Sequence, residues 1–282
     1  MSELSVLGSL TPQSLHSDPY AHVVHAPVLP ASTYERLAAE FPDIATILGG
    51  RRAADNMAAR LPARQVLENP RISDTWRSFF AYHSSQAFWD DIVRVFGSAL
   101  RSAFAGIENR AGKPLEDWSA GPRRLNKGGD ISLDCQFVIN TPSDRQVSVK
   151  TQHVDRRTTI VSMLYYFRDP EDRSEGGDLE LYTWKRPPRF LPFQRMILPD
   201  DLELKRVVTY APNTLVAFVN SPMSPHGVSP RSNAKLPRRY INFICETPFK
   251  AFNTPELGLA DRIRYWPLTR KLGQRSVKGE AY

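Results

Sequence analysis

From Ile131 to Glu246 the chain repeats short apolar runs separated by Pro, Gly and Asn: ISLDCQFVINT, RQVSVKTQHVD, TIVSMLYYF, GDLELYTW, VVTYAPNTLVAFVN and RRYINFIC. Runs of that length between turn residues predict successive strands, and many short strands predict a sandwich or jelly roll. Residues 185 to 206, KRPPRFLPFQRMILPDDLELKR, interrupt the series; their prolines predict an insertion and not a central strand. Upstream the period changes. Between Ser84 and Phe104, the residues Phe88, Ile92, Val95, Ala99 and Ala103 recur at helical spacing, so one stripe of a helix faces the core. Ser73 to Tyr82 predicts a second helix. STYERLAAEFP predicts a third, with Ser32 and Glu35 spaced for a capping box, and YAHVVHAPVLP before it reads as a short strand ending at Pro30. Pro42 to Pro70 holds no sustained period, which predicts a mobile or substrate-facing segment with one short helix.

The pattern is mainly β with flanking helices, an α+β chain, and its 282 residues suffice for one elaborated domain. Within that domain, residues 1–125 form a support region of helices and a strand. Residues 126–246 form the β core, and 247–282 a basic, Pro-rich extension. No run approaches the ~18 apolar residues that span a bilayer, and MSELSVLGSLTPQSLHSDPY lacks the basic start and apolar centre of a secretory signal. The expectation is a cytoplasmic protein with no membrane partner. Cys135 and Cys245 both fall in apolar runs and read as buried free thiols, which suits a reducing compartment. The net charge of +7 is spread in small clusters, Arg51-Arg52, Arg123-Arg124 with Lys127, Lys185-Arg186 with Arg189, and Lys235 to Arg239, with Lys271, Arg275 and Lys278 in the tail. Without a polybasic block this reads as solvated surface charge, and no nucleic-acid partner is expected.

Three residues change the picture. His153 and Asp155 flank one residue, so on an extended segment their side chains leave one face and can grip one ion. His226 supplies a second imidazole. Two histidines and a carboxylate form a facial triad that leaves the other face of an octahedral ion open, a set that favours non-haem Fe(II). His22 and His25 have no carboxylate in a ligand pattern and read as structural or surface residues.

The order of the parts adds to this: His153-Val-Asp155, MLYYF (163 to 167), EGGDLELY (175 to 182), His226-Gly-Val-Ser-Pro230 and Arg238-Arg-Tyr-Ile-Asn242. That series resembles the Fe(II)/2-oxoglutarate-dependent oxygenases of the prolyl-4-hydroxylase-like group, over roughly residues 130 to 246. The resemblance implies a double-stranded β-helix, a cupin-like jelly roll, with Fe(II) on His153, Asp155 and His226. It implies 2-oxoglutarate as co-substrate, dioxygen as oxidant and ascorbate as an accessory reductant. The family's cation for the distal carboxylate of 2-oxoglutarate follows the distal histidine, which points to Arg238. Arg239 is the alternative, on the opposite face of the strand, while Arg231 falls too early. Tyr166 matches the position whose phenol helps to bind the same carboxylate. Because Asp155 is retained, where related halogenases carry a small residue, hydroxylation is favoured.

The resemblance thus implies a dioxygenase that hydroxylates a C–H bond and releases succinate and CO2. The basic balance and the lack of a peptide-binding module point to a small, anionic or amino-acid-like metabolite. A prolyl or peptidyl hydroxylase is the alternative, and a noncatalytic jelly-roll binding protein a further one. Candidate lining segments are Arg123 to Lys127, the strand QFVIN with Gln136 and Asn140 on one face, and the loop Asn220 to Pro225.

Overall fold

The computed structural model describes residues 4–190, 197–255 and 258–259. In chain order it contains β1 (His22–His25), α1 (Ala31–Ala39), α2 (Ile44–Leu48), β2 (Ala58–Pro62), α3 (Ala63–Glu68), α4 (Asp74–Tyr82), α5 (Gln86–Ala103) and α6 (Ile107–Ala111). The strands β3 (Ala120–Pro122), β4 (Ile131–Asn140), β5 (Thr159–Tyr166), β6 (Leu179–Trp184), β7 (Leu202–Val208), β8 (Thr214–Val219), β9 (His226–Val228) and β10 (Arg238–Glu246) follow. The large sheet runs β1-β8-β5-β10-β4-β2, with β3 parallel to the start of β4; the small sheet runs β7-β6-β9. Two facing sheets of this kind, with the helices stacked outside the larger one, make the double-stranded β-helix.

Strand alternation sorts the core into two layers. Leu133, Cys135, Phe137 and Ile139 of β4, Met163 and Tyr165 of β5, and Ile241, Phe243 and Cys245 of β10 bury against the helices. Their partners there include Trp76, Phe79 and Phe80 of α4 and Phe88, Trp89, Ile92 and Phe96 of α5. Trp76 meets Phe137 edge-on at 4.6 Å, and its indole N–H donates to the Leu37 carbonyl, so a large apolar body is buried without stranding its donor. Full burial of each such ring contributes about 1.5–3 kcal/mol. The other face carries Val138, Tyr166, Val216, Phe218 and Tyr240, packed on Leu179, Leu181 and Val208 of the small sheet. This inner space between the sheets holds the candidate site.

Several expectations need correction. The third predicted helix starts at Ala31 after Pro30, so Ser32 lies inside it and no side chain caps it; the Ser32–Glu35 capping box does not form. Pro42 to Pro70 holds β2 as well as two short helices, and β2 pairs with the end of β4 as an edge strand. VVTYAPNTLVAFVN is split between the sheets. Asn213 adopts a left-handed φ of 51° there, and its Oδ1 accepts from the Val28 and Leu29 amides and the Tyr165 hydroxyl, pinning the turn. Within residues 185 to 206, the chain from Leu202 onward pairs with β6 because the prolines all precede it; residues 191–196 lie outside the described residues, as does nearly all of the extension from 256 on. RQVSVKTQHVD is not a continuous strand. It runs beside 226–231 through single bridges, because the Ser148 hydroxyl donates to the Val228 carbonyl and accepts from the Lys150 amide in place of ladder bonds. Among the described residues no helix is long and apolar enough to cross a membrane. His22 and His25 are structural: buried His22 links the Tyr20 carbonyl to Arg206, and His25 meets Ser9.

His83, at the end of α4, gives the fold a pH dependence. Its Nδ1 donates to the Phe79 carbonyl at 2.7 Å and its Nε2 accepts from the Val6 amide at 3.2 Å, so the ring is buried neutral. Burial pushes its pKa down to about 3, against 6.5 for a free imidazole. Between those values the unfolded chain binds the extra proton. Stability is therefore full above about pH 6.5 and falls as pH drops toward 3, with a slope near 1.4 kcal/mol per pH unit. Urea midpoints measured from pH 7 to pH 5 should fall in the native protein and fall less steeply in His83→Gln.

Candidate active site

His153 and His226 are locked side by side by a pair of mutual backbone N–H···O bonds, both 2.9 Å, where residue 153 bridges the start of β9. Each ring donates its Nδ1–H to a carbonyl two residues upstream, His153 to Thr151 at 2.8 Å and His226 to Ser224 at 3.0 Å. That pattern assigns the proton to Nδ1 and leaves each Nε2 with an open lone pair. Both lone pairs meet the same carboxylate: His153 Nε2 lies 3.4 Å from Asp155 Oδ1 and His226 Nε2 3.6 Å from Asp155 Oδ2. The three candidate ligand atoms all lie within 4.8 Å of one another.

Electrostatics sharpens the arrangement. Burial pushes the His153 pKa down to about 3 and lowers that of His226 as well, so neither ring carries a proton on Nε2 at neutral pH. Burial alone would raise the Asp155 carboxyl. The Lys150 ammonium, 3.7 Å from Oδ1, and the Ser162 hydroxyl, which donates to Oδ2 at 2.6 Å, favour the ionised form and hold the group well below the usual carboxylate range. Two nitrogen lone pairs and an ionised carboxylate pointed at one spot repel each other unless a cation lies between them. This donor set fits a divalent ion of borderline softness, which His153, Asp155 and His226 could hold while its other positions stay open.

Neighbouring side chains aim the ligands. Ser162 Oγ donates to Asp155 Oδ2 at 2.6 Å, and Asn220 Oδ1 accepts from the Asp155 amide at 3.0 Å while its Nδ2 holds the Thr159 carbonyl at 2.8 Å. Phe218 packs against the His226 ring at 4.6 Å. Ser162 escapes a reading of the pattern, though one signal exists: it is the lone polar residue inside the apolar run TIVSMLYYF that is neither aromatic nor at an end.

Farther into the inner space, Arg238 opens β10 opposite Asn140, and it is only 1% exposed. Its guanidinium sits over the rings of Tyr166, Tyr210 and Tyr240 at 5.0, 4.9 and 4.6 Å. Nε donates to the Gly177 carbonyl at 2.7 Å and Nη1 reaches Asn140 Oδ1 at 3.4 Å, while Nη2 has no partner. Among the described residues no carboxylate pairs with it. The Tyr166 hydroxyl is also buried without a partner, and burial pushes its pKa up to about 12, so it stays a donor. Orphaned buried donors around an uncompensated cation fit an anionic oxygen ligand.

The neighbouring arginines separate cleanly. Arg239 points to the helix side, where it pairs with Asp169 at 3.0 Å and lies over Phe41, so the one-residue shift does reverse the face. Arg231, set aside as too early, lines the same cleft as Arg238, together with Asn140, Val147, Val149 and Val228. Gln136 shares the inner face but is turned to Asp134 at 2.7 Å, and Arg123 pairs with Glu246 at 2.8 Å.

The Gly-Gly turn acquires a physical reason. A Cβ on Gly176 would sit 2.1 Å from the Pro230 carbonyl oxygen at a φ of +72°, and one on Gly177 would press on the side-chain Cδ atoms of Arg231 and Arg238 at 3.3 and 3.4 Å. Left-handed backbone and overpacking together cost an alanine on the order of 3 kcal/mol. Gly176→Ala should therefore melt about 10 °C below the native protein in a thermal scan.

Comparison with known proteins agrees with this geometry. Residues 143–245 match the family model described as the 2OG-Fe(II) oxygenase superfamily. Among solved structures, a Pseudomonas putida prolyl-4-hydroxylase is similar at 16% identity and a TM-score of 0.44, over 88% of this chain and 100% of that one. A Phytophthora capsici prolyl 4-hydroxylase is similar at 11% and 0.49, over 96% and 72% of the two chains. The non-haem α-ketoglutarate-dependent epimerase SnoN of nogalamycin biosynthesis is similar at 13% and 0.46, over 80% and 76%. No curated protein matches the chain. The matched segment contains His153, Asp155, Tyr166, His226, Arg231 and Arg238 in one stretch, so residues 143–245 carry the match to the 2OG-Fe(II) oxygenase superfamily, whose members use Fe(II), 2-oxoglutarate and dioxygen.

Proposed function

We propose that the chain hydroxylates a C–H bond of a small, anionic or amino-acid-like metabolite, with His153, Asp155 and His226 as iron ligands and Arg238 and Tyr166 as binders of the distal carboxylate of 2-oxoglutarate. The observation that carries the reading is the pairing, in one inner space, of a His-Asp-His cluster whose Nε2 atoms are unprotonated with a buried guanidinium that no acid among the described residues neutralises. Bound there, Fe(II) with dioxygen supplies oxidative decarboxylation of 2-oxoglutarate to succinate and CO2, with one oxygen atom passing to the substrate C–H bond.

The residues of the chain orient and desolvate. Ser162 and Asn220 hold the Asp155 carboxylate in one direction, and the two backbone carbonyls hold the imidazoles in the ligating tautomer. Phe218, Val228 and the tyrosine cage keep water from the cation and the ligand cluster, which strengthens each charge interaction there. An anionic substrate is supported by Arg60. Its Cα pairs with Val138, so it extends from β2 on the inner face, half-buried and with no hydrogen bond or ion pair among the described residues.

Anaerobic titration with Fe(II) and then 2-oxoglutarate tests the core of the reading through the weak visible charge-transfer band of a 2-oxo acid chelated to ferrous iron. Succinate release with free amino acids, small carboxylic acids and proline-containing peptides then tests the substrate class. A protein that shows no band and no 2-oxoglutarate-dependent change in metal affinity overturns the reading. Succinate release driven by peptides alone replaces the small metabolite with a peptidyl substrate.

A further inference from the structure

Arg238 and Tyr166 do not account for all the donors stranded in this region. Four buried side-chain atoms lack a partner among the described residues: Arg238 Nη2, Tyr166 OH, Asn140 Nδ2 and Arg231 Nη1. Each stranded donor costs about 1–3 kcal/mol, so four together ask for a common acceptor. Asn140, Arg231 and Arg238 line a single cleft whose other walls include the aliphatic chains of Val147, Val149 and Val228. A carboxylate has about four lone-pair sites, which matches the number of open donors.

We infer that Arg231 and Asn140 complete the co-substrate site, so that the distal carboxylate is clamped between two guanidiniums and one amide. This rests on the assignment of 2-oxoglutarate to the Arg238 pocket and extends it to two residues that nothing else in the chain explains. Three details of geometry support it. Asn140 turns its Oδ1 toward Arg238 Nη1 at 3.4 Å, since arginine can only donate, and that choice directs Nδ2 elsewhere, without a protein partner. Arg231 is fixed from behind, by Asp172 at 2.8 Å, Ser174 Oγ at 2.8 Å and the Leu236 carbonyl at 2.8 Å, which leaves Nη1 as its one open nitrogen. A Cβ on Gly177 would come within 3.3 Å of the Arg231 Cδ and 3.4 Å of the Arg238 Cδ, so both arginines run past the same bare backbone position.

The charges favour an anionic head. Asp172 pairs with Arg231 at 2.8 Å and is shared with Arg168 at 3.8 Å, so Arg231 contributes direction and a hydrogen bond. Among the described residues Arg238 has no acid partner, so positive charge is left for a negative ligand group. The apolar walls suit the two methylenes that follow the head in 2-oxoglutarate.

The test measures affinity without turnover, in the Mn(II)-loaded full-length protein without dioxygen, by calorimetry with 2-oxoglutarate and with 2-oxobutanoate, which lacks the distal carboxylate. Asn140→Ala and Arg231→Lys, the latter keeping the charge beside Asp172, should each weaken 2-oxoglutarate about 10-fold. Asn140→Asp, which aims a carboxylate at Arg238, should weaken it about 100-fold. Affinity for 2-oxobutanoate and for Mn(II) should not change, which a general loosening of the fold would not allow. Native 2-oxoglutarate affinity in Asn140→Ala and Arg231→Lys, with the loss confined to Arg238→Met, overturns the clamp and leaves the Arg238 pocket standing. Native affinity in Arg238→Met overturns the pocket assignment itself.

Discussion

Asp155→Ala should lose metal binding while its metal-free form melts no lower than the native metal-free protein. Both halves follow from the same geometry. In the native chain, Asp155 faces two unprotonated nitrogens at 3.4 and 3.6 Å, a contact that repels without a cation. Deleting the carboxylate relieves that repulsion at the cost of one 2.6 Å hydrogen bond from Ser162, whose hydroxyl can turn to another acceptor, and of a 3.7 Å ion pair with Lys150, which is partly exposed and weak. It also removes the only anionic ligand. Loss of an outer partner of a metal ligand typically costs about 10–100-fold in affinity, and loss of the ligand itself should exceed the upper end of that range. Ser162→Ala, which leaves the carboxylate but frees its direction, should fall within it. Differential scanning with added Mn(II) distinguishes the two, because a ligand that binds only the folded state raises its melting temperature. Native protein should shift strongly, Ser162→Ala less, and Asp155→Ala not at all. A full Mn(II) shift in Asp155→Ala would place the metal elsewhere.

Arg238→Met should raise the KM for 2-oxoglutarate at least about 100-fold, the range for a buried charge-assisted pair worth about 3 kcal/mol, without lowering the stability of the unliganded protein. The guanidinium is buried and, among the described residues, keeps one nitrogen unpaired and has no acid partner. Its burial is therefore a cost that bound ligand offsets. Methionine fills similar volume among Tyr166, Tyr210 and Tyr240 and has no charge to desolvate. Arg238→Lys should lie between, since an ammonium keeps the charge but cannot at once reach the Gly177 carbonyl and grip a carboxylate with a planar fork. Arg239→Met is the contrasting case. It removes a surface-side pair with Asp169 and should leave the 2-oxoglutarate KM unchanged. Steady-state succinate release against 2-oxoglutarate concentration, with thermal unfolding of the same four proteins, settles the comparison.

Much of this site is local enough to be written in one dimension. His153 and Asp155 share a face because extended backbone alternates its side chains, and Arg238 and Arg239 fall on opposite faces for the same reason. The helical stripe of α5 follows from its spacing, as do the strands β4, β5, β6 and β10. The ordered series of motifs, with the Gly-Gly turn in it, is legible in the sequence and falls within residues 143–245, which match the oxygenase family model. What failed was local as well: a capping box on Ser32 requires the first helical residue to be Thr33, and with Pro30 in the N-cap position the helix begins two residues earlier, at Ala31.

Only the tertiary structure decided which alternating face became the interior, and therefore that Arg238 and not Arg239 enters it. Packing of α4 and α5 on one side of the large sheet made that choice, since Phe137, Tyr165 and Phe243 could be buried against them only by turning their neighbours toward the small sheet. It also brought Asn140 beside Arg238, 98 residues apart in sequence, and Arg231 beside Asp172, 59 residues apart. No periodicity encodes such meetings, because they depend on strand register and on the close approach that Gly176 and Gly177 permit. The chain by itself specified the candidate ligand types and their faces; folding specified their partners, because burial and register are properties of the sheets and not of any one strand.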